Sequence, residues 1–568
     1  MKTRLGTIVT TLLLTALGIS IAADCAAAEP PKPALTVAFA GYDQLTSNLK
    51  TIDQLDPHLG LVKKLEGYIG LVTKEKNLAG LDKSRPWGVL VTLGESDDPI
   101  IHGYVPVTDL KQLVASIPTP DGEALTPDAN GVYEIDAEGR TIYAKQKGAW
   151  AIVCDNRDAL DSAQADPTPQ IADLAKKYLV AVRGDMRNVP ADRRDNFFAA
   201  LRNLVEFSLV AQGGSEEQQA MCRSLVKLGF DELETLKNGS DVVVAGLSMD
   251  KSLHVDLEVN AIAGSDLAAK FAAMKDAKSD YAGFVLPGAA VTAVASGKID
   301  DREAAQAKEI IDKFKVAVAA ELDANDELAA DKRELAKQSL GEVLGVLQET
   351  IGLKKCDRGM ALVLDDGPTI IAGATIAAGG KLDAAIRKLA KEIIADKPEL
   401  DKRVKLDAET YDGLKFHVFT IPVSEPGAVE VFGQSVQLVV GLSESRFYIG
   451  AGKNPLELLK KAIAASKSNA GKPVLPLEMV VSAGSIAKFY AKAIPGNLPQ
   501  LAQAKKLAEK LSEQLAKTPG QDRLRLTVKP IPGGAQVRLD VDPGAIRAIM
   551  ELYGVALHII GADASDDQ

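Results

Sequence analysis

The sequence predicts an α+β protein with predominantly antiparallel sheets backed by helices, duplicated into two similar halves. Three observations carry this expectation. A short β-branched strand ending in Gly occurs four times along the chain. Each occurrence leads through a helical stretch into two apolar runs joined by turn residues, the pattern of an antiparallel hairpin. Charged residues at 25% and hydrophobic residues at 46% are ordinary for a globular chain, so neither disorder nor a membrane-embedded body is indicated.

The opening strands are Val37-Ala38-Phe39-Ala40-Gly41, Val180-Ala181-Val182-Arg183-Gly184, Val294-Ala295-Ser296-Gly297 and Val480-Val481-Ser482-Ala483-Gly484. Glycine at each exit is expected to supply the positive φ of a tight strand-to-helix turn, which a Cβ disfavours. The hairpins follow at Gly88–Tyr104, Val242–Val259, Met360–Ile376 and Leu524–Val541, turning at Asp97-Asp98-Pro99, Met249-Asp250-Lys251, Asp365-Asp366-Gly367-Pro368 and Pro532-Gly533-Gly534. Further helices are expected to begin near Asp109, Asp266, Lys381 and Pro543. The repeating unit is strand, helices, strand pair, helix.

Units one and three share an insertion of three strands, which makes the fourfold pattern twofold. The first set is Tyr133–Ile135, Thr141–Lys145 and Trp150–Cys154; the second is Leu414–Ile421, Val436–Leu442 and Phe447–Gly450. The halves are placed at residues 29–286 and 287–568, with the seam near Pro287. Each is close to the largest size at which one core keeps growing. Pro-rich Ile117–Pro120 and Asp166–Pro169 read as loops. Between Asp300 and Gly352 the apolar positions Ile310, Ile311, Phe314, Val316, Val318, Leu335, Leu340, Val343, Leu344 and Leu347 predict a helical hairpin broken near Asp323–Asp326. A further amphipathic helix is expected over Leu498–Leu515, and these stripes are expected to pack into the core.

The amino terminus points to export. Lys2 and Arg4 precede an apolar stretch, Ile8–Ile21, and Ala26-Ala27-Ala28 offers small residues for cleavage, so residues 1–28 read as a secretory signal peptide. The stretch is short for a spanning helix. Cys25 raises the alternative of a lipidated amino terminus, against which Asp24 argues. Cleavage after Ala28 leaves Cys154, Cys222 and Cys356, an odd number without short spacing, which read as small buried hydrophobes. At most one pair can join within a monomer. The net charge of −11 becomes −12 once the signal is removed, with 64 basic against 76 acidic residues. Nucleic acid is not expected as a partner, because the short clusters Arg193-Arg194 and Lys354-Lys355 lack flanking aromatic residues.

Sites for chemistry are few. His58, His102, His254, His417 and His558 are too far apart in sequence for a local metal motif, and no cysteine pair has zinc-ribbon spacing. Asp97-Asp98 and Asp365-Asp366-Gly367 lack the acidic ladder of a calcium loop and read as turns. Gly450-Ala451-Gly452-Lys453 opens a helix without P-loop spacing. One nucleophile candidate stands out: Ser485-Ile486-Ala487-Lys488 places a hydroxyl and an amine one helical turn apart. It resembles the Ser-x-x-Lys motif of penicillin-binding enzymes, but no Ser-Asp-Asn element follows and Lys517-Thr518 runs into Pro519. The competing assignment for Ser485 is helix N-cap.

The leader, the Leu35–Phe39 strand, the Arg85-Pro86-Trp87-Gly88 approach and the Val105-Pro106-Val107-Thr108-Asp109 exit are together similar to large exported bacterial proteins grouped as domains of unknown function. The resemblance implies an envelope or extracellular location and supplies no catalytic residues to carry over. The chain is therefore expected to be an exported, non-catalytic envelope protein of unknown role, binding or structural, without metal or organic cofactor, whose partner is an unknown protein or a hydrophobic ligand. The alternative is a periplasmic carrier or sensor of a lipid or other hydrophobic ligand. A serine hydrolase using Ser485 and Lys488 is the third reading. A carrier predicts apolar residues on both faces of some strands; a scaffold predicts strict inside-outside alternation.

Overall fold

The computed structural model describes residues 32–551 apart from 56–59, 74–77, 94–98, 118–123, 138–139, 197, 200–201, 203–215, 326–328 and 495–500. The signal segment with Cys25, the Asp97-Asp98 turn, the Pro118–Pro120 loop, His58, His558 and the Cys222 side chain lie outside the described residues. The fold is α+β, with every strand pairing described below antiparallel and the sheets backed by helices. Residues up to 196 together with 240–262 form one compact unit; 197–239 together with 263 onward form a second.

The first unit contains β1 (Leu35–Phe39), β2 (Trp87–Leu93), β3 (Pro99–Pro106), β4 (Val132–Ala137), β5 (Arg140–Lys147), β6 (Trp150–Cys154), β7 (Val180–Asp185), β8 (Ser240–Met249) and β9 (Leu253–Ala261). They pair in the order β4-β5-β6-β3-β2-β1-β7-β8-β9. The second contains β10 (Val291–Lys298), β11 (Lys355–Val363), β12 (Thr369–Thr375), β13 (Val404–Tyr411), β14 (Leu414–Pro422), β15 (Ser435–Leu442), β16 (Arg446–Gly452), β17 (Leu477–Ser482), β18 (Arg523–Ile531) and β19 (Gly534–Val541). Their order is β13-β14-β15-β16-β12-β11-β10-β17-β18-β19. The two pairing orders run alike, with β13 added at one end of the second.

β13 was not anticipated. Its sequence, VKLDAETY, is dominated by polar and charged residues, and a bulge between Lys405 and Glu409 interrupts its period-2 alternation. Asp412 and Gly413, at φ 51° and 74°, make the tight turn that joins it to β14.

The exit glycines act differently from expectation. Gly41, Gly184, Gly297 and Gly484 all lack positive φ. At Gly41 a Cβ would meet the Ser84 carbonyl at 2.8 Å, and at Gly484 the Asp522 carboxylate at 2.8 Å, so these two serve close approach. Gly184 and Gly297 have no neighbour that close.

Residues just before Pro287 pack into the second unit. Tyr281 and Phe284 are fully buried beside Tyr448, at ring-centroid distances of 5.6 and 6.2 Å, in a cluster with Val294, Ala361, Ile371, Leu459 and Ala462. Gly359 and Gly373, on β11 and β12, leave the space those rings fill, since a Cβ on either would approach within 2.8 Å of them. The expected seam at Pro287 therefore falls inside the second compact unit. In the first unit the corresponding layer gathers Ala38, Leu90, Tyr104, Trp150, Ile152, Leu160 and Ile171.

The helical hairpin is Asp301–Ala324 and Ala330–Gly352. A capping box, Asp300 with Glu303, starts the first helix. Its apolar stripe is not the core seam the periodicity suggested. Of the ten apolar positions named for it, only Leu344 is buried, while Phe314, Val316, Val343 and Leu347 are exposed. Polar contacts hold this segment instead: Arg302 donates to Thr235 and pairs with Glu232, Gln306 donates to Asp231, and Lys270 bridges Glu232 and Glu303.

Candidate functional site

Successive residues of a strand point to opposite faces, so the pairing register states which side chains share a surface. In the first unit one face of β1–β3 carries Ala38, Leu90 and Tyr104 and is buried. The other face should be polar if it met only water. It is apolar. Across β2, β1, β7, β8 and β9 one row reads Trp87, Phe39, Val180, Leu247, Val255. The next reads Val89, Val37, Val182, Ala245, Leu257, and the third Val91, Leu35, Gly184, Val243, Val259. None of these residues is buried, and Val182, Val255 and Leu257 are 37, 41 and 43% exposed. Strand spacing makes the block about 19 Å across and about 13 Å along the strands.

The second unit repeats the composition. Across β12, β11, β10, β17, β18 and β19 the rows are Ile370, Leu362, Val291, Val481, Leu524, Val541; then Ala372, Met360, Ala293, Met479, Leu526, Leu539; then Ala374, Arg358, Ala295, Leu477, Val528, Val537. Only Val541 is buried, and Arg358 is the single charged residue. The opposite face of β10–β12 belongs to the buried cluster through Val294, Ala361 and Ile371, so these strands too are apolar on both sides. At β14–β16 the half-exposed side is roofed, with Ile376, Leu382 and Val346 packed on Val440 and Leu442.

The structure separates the serine and lysine of the nucleophile candidate. Helix Ala483–Ala493 is capped by Ser482, whose Oγ accepts from the Ser485 N–H at 3.1 Å and donates to the Asp522 carboxylate at 2.6 Å. Asp522 also accepts from the Gly484 N–H at 2.8 Å. Ser485 is thus in the first turn, and the cap assigned to it belongs to Ser482, because β17 ends two residues before Gly484. Lys488 points to Asp365, 3.5 Å away in an exposed pair, and not to Ser485. Such a pair contributes little. We expect Ser485→Ala to change stability by less than about 0.5 kcal/mol, whereas Ser482→Ala costs about 1 kcal/mol by losing the cap; urea denaturation of the two variants measures both.

The described histidines are engaged one by one. His102 is buried, with Nε2 2.9 Å from the Ala159 carbonyl, and burial lowers its pKa. His254 lies 3.1 Å from Asp250. His417 is fully buried; its Nδ1 accepts from the Asp407 N–H at 3.0 Å, so Nε2 carries the proton that reaches Asp383 Oδ1 at 2.8 Å. Arg387 pairs with both Asp383 and Asp407. Burial opposes ionisation of Asp383, but hydrogen bonds from Arg387 and His417 outweigh it and hold the carboxyl below its ordinary value. With both ring nitrogens committed, His417 is a strut between helix Gly379–Asp396 and the β13 bulge.

Cys154 is buried and its thiol is pushed up to about 11 by that burial; Cys356 is half-buried, and both are free. Among the described residues no group of three or more His, Cys, Asp or Glu side chains could hold a metal ion. At Gly452 a Cβ would lie 2.5 Å from Thr369 Oγ1, which also accepts from the Lys453 N–H at 3.3 Å, so this glycine serves close packing and that N–H is already taken up. A cleft of about 540 Å³ lies among Asp231, Glu234, Asp266, Arg302 and Gln306, and a second of about 420 Å³ beside Asp412 and Lys467. Among the described residues no helix is long and apolar enough to cross a membrane. No protein-family model, no curated protein and no solved structure matches the chain significantly.

Proposed function

We propose that the protein is an exported, non-catalytic binder of an aliphatic ligand, a lipid or similar amphiphile, which lies on the half-exposed faces of its sheets. The observation that carries this reading is the uninterrupted apolar block on β2-β1-β7-β8-β9, whose far side is already core at β1 and β2. Apolar residues on both faces of a strand are what a carrier needs and what a scaffold with one solvated face lacks. A contiguous apolar face left only partly covered offers a surface for an apolar partner. Valine and leucine predominate and Phe39 and Trp87 are its only aromatics, a surface suited to flexible alkyl chains more than to flat rings. The exposed Phe314, Val316 and Leu347 add aliphatic and aromatic surface on the helical hairpin. The duplication expected from the sequence belongs to the same proposal, with one such face in each half.

The test is native mass spectrometry of the protein purified gently from its own envelope fraction, before and after denaturation. A lipid-sized mass lost on denaturation, on a polypeptide beginning at Glu29, is the expected result. Val182→Asp and Leu257→Asp place a carboxylate in the middle row of the block, at its centre and at its β9 end, at already exposed positions, so the fold should survive while ligand occupancy falls about tenfold or more. A bare wild-type monomer that takes up no acyl probe overturns the reading, and a protein adduct in its place supports the scaffold.

A further inference from the structure

We propose that Arg358 anchors the carboxylate of a long-chain fatty acid whose alkyl chain lies across the aliphatic face of the second unit; this rests on the apolar-ligand reading above. Arg358 is exposed, and its side chain has no hydrogen-bond or ion-pair partner among the described residues. It is the one charge in the three rows of that face. In the ladder it stands between Ala295 of β10 and Ala374 of β12, neither of which extends past its Cβ. Neither ladder neighbour can therefore cover or pair with the guanidinium, which is exposed.

A face that only had to pack against apolar protein would exclude such a group, because an unpaired buried guanidinium is strongly unfavourable. The first unit shows the alternative. There the ladder pair two residues before the exit glycine Gly41 is Phe39 with Trp87, whose rings stack at 4.3 Å; two residues before Gly297 it is Ala295 with Arg358. One face ends in an aromatic stack and the other in an unpaired cation flanked by alanines.

The chemistry favours a carboxylate. One planar guanidinium fork matches its two oxygens in a bidentate pair. A doubly charged phosphate calls for more than one cation, and nearby Lys355 is already directed to Asp280 and Asp357. From Arg358 the row continues through Ala295, Leu477, Val528 and Val537 without a polar side chain, a path of about 19 Å across four strand spacings. An anion at one end and a long alkyl chain along the rest is the complement of that row.

Equilibrium binding of palmitate and of hexadecanol to the full mature chain separates the two parts of the argument. The wild type is expected to prefer palmitate by tenfold or more, Arg358→Gln to bind both alike with hexadecanol affinity unchanged, and Arg358→Lys to keep part of the preference. Arg358 is exposed, so thermal melts of the variants should overlay the wild type. Equal binding of the two probes by the wild type, or an undiminished preference in Arg358→Gln, overturns the anchor while leaving the aliphatic site standing. Binding of neither probe overturns the aliphatic site itself, and the anchor with it.

Discussion

Gly283→Ala is expected to destabilise the second unit by about 3 kcal/mol. Gly283 lies in the short 3₁₀ turn Ala282–Phe284, against helix Pro455–Ser468. An added Cβ would sit 2.2 Å from the Ala462 carbonyl and 2.2 Å from the Ser466 N–H. Both are backbone atoms in a helix, so no side-chain rotation relieves the clash, and the turn must move away. That movement withdraws Tyr281 and Phe284 from the centre of the core and breaks the 2.9 Å hydrogen bond from the Gly283 N–H to Ser466 Oγ. Chemical denaturation checks the magnitude. Gly297→Ala is the control, because no atom lies within 4 Å of the added Cβ and φ is not positive; its stability should stay within about 0.5 kcal/mol of wild type. Equal effects at the two positions would mean that the turn is not the lock described.

His417→Leu should cost about 3 kcal/mol, although the replacement is apolar and similar in bulk. The ring nitrogens satisfy the Asp407 N–H and the Asp383 carboxylate, and leucine leaves both without that partner. Asp407 has φ 49° inside the bulge, a conformation a non-glycine residue adopts only when its surroundings hold it there. The loss should appear in thermal melts, and amide exchange over β13 should accelerate more than over β10. Arg387 gives the network its pH dependence. Its hydrogen bonds hold Asp407 below the ordinary carboxyl range, and with His417 they do the same for Asp383 against burial. A depressed folded pKa contributes stability above the unfolded carboxyl value of about 3.9 and loses it as pH falls through the folded value. Arg387→Met should therefore destabilise at pH 7, and its difference from wild type should shrink as the pH falls below about 4. A difference that persists unchanged into acid would assign the effect of Arg387 to packing.

Much of the fold was legible because its signals are local. Alternating valine and leucine around turn residues fixed the hairpins β2–β3, β8–β9, β11–β12 and β18–β19, and helical spacing fixed Asp301–Ala324 and Ala330–Gly352. β13 escaped because its charges and bulge erase the alternation. The candidate site was only half legible. Val37, Val182 and Val481 read as strand residues, but no window of sequence says whether the second face of a strand is covered. Arg358 carried no local signal at all, because its meaning lies in Ala295 and Ala374 beside it, residues 63 and 16 positions away in the chain.

The sequence by itself determined the class of the fold, the hairpins and the ordinary role of the turn residues, since backbone preference and hydrophobic period act over a few residues. Tertiary structure decided the rest. It made Ser482 the cap in place of Ser485, turned Lys488 toward Asp365, used Gly41 and Gly484 for close approach, and placed Tyr281 and Phe284 in the second core. It also left the apolar stripe of the helical hairpin and one face of each sheet only partly covered. Burial and pairing are properties of residues brought together from distant segments, and an apolar residue has the same local preferences whether its neighbour in space is another side chain, water or a ligand.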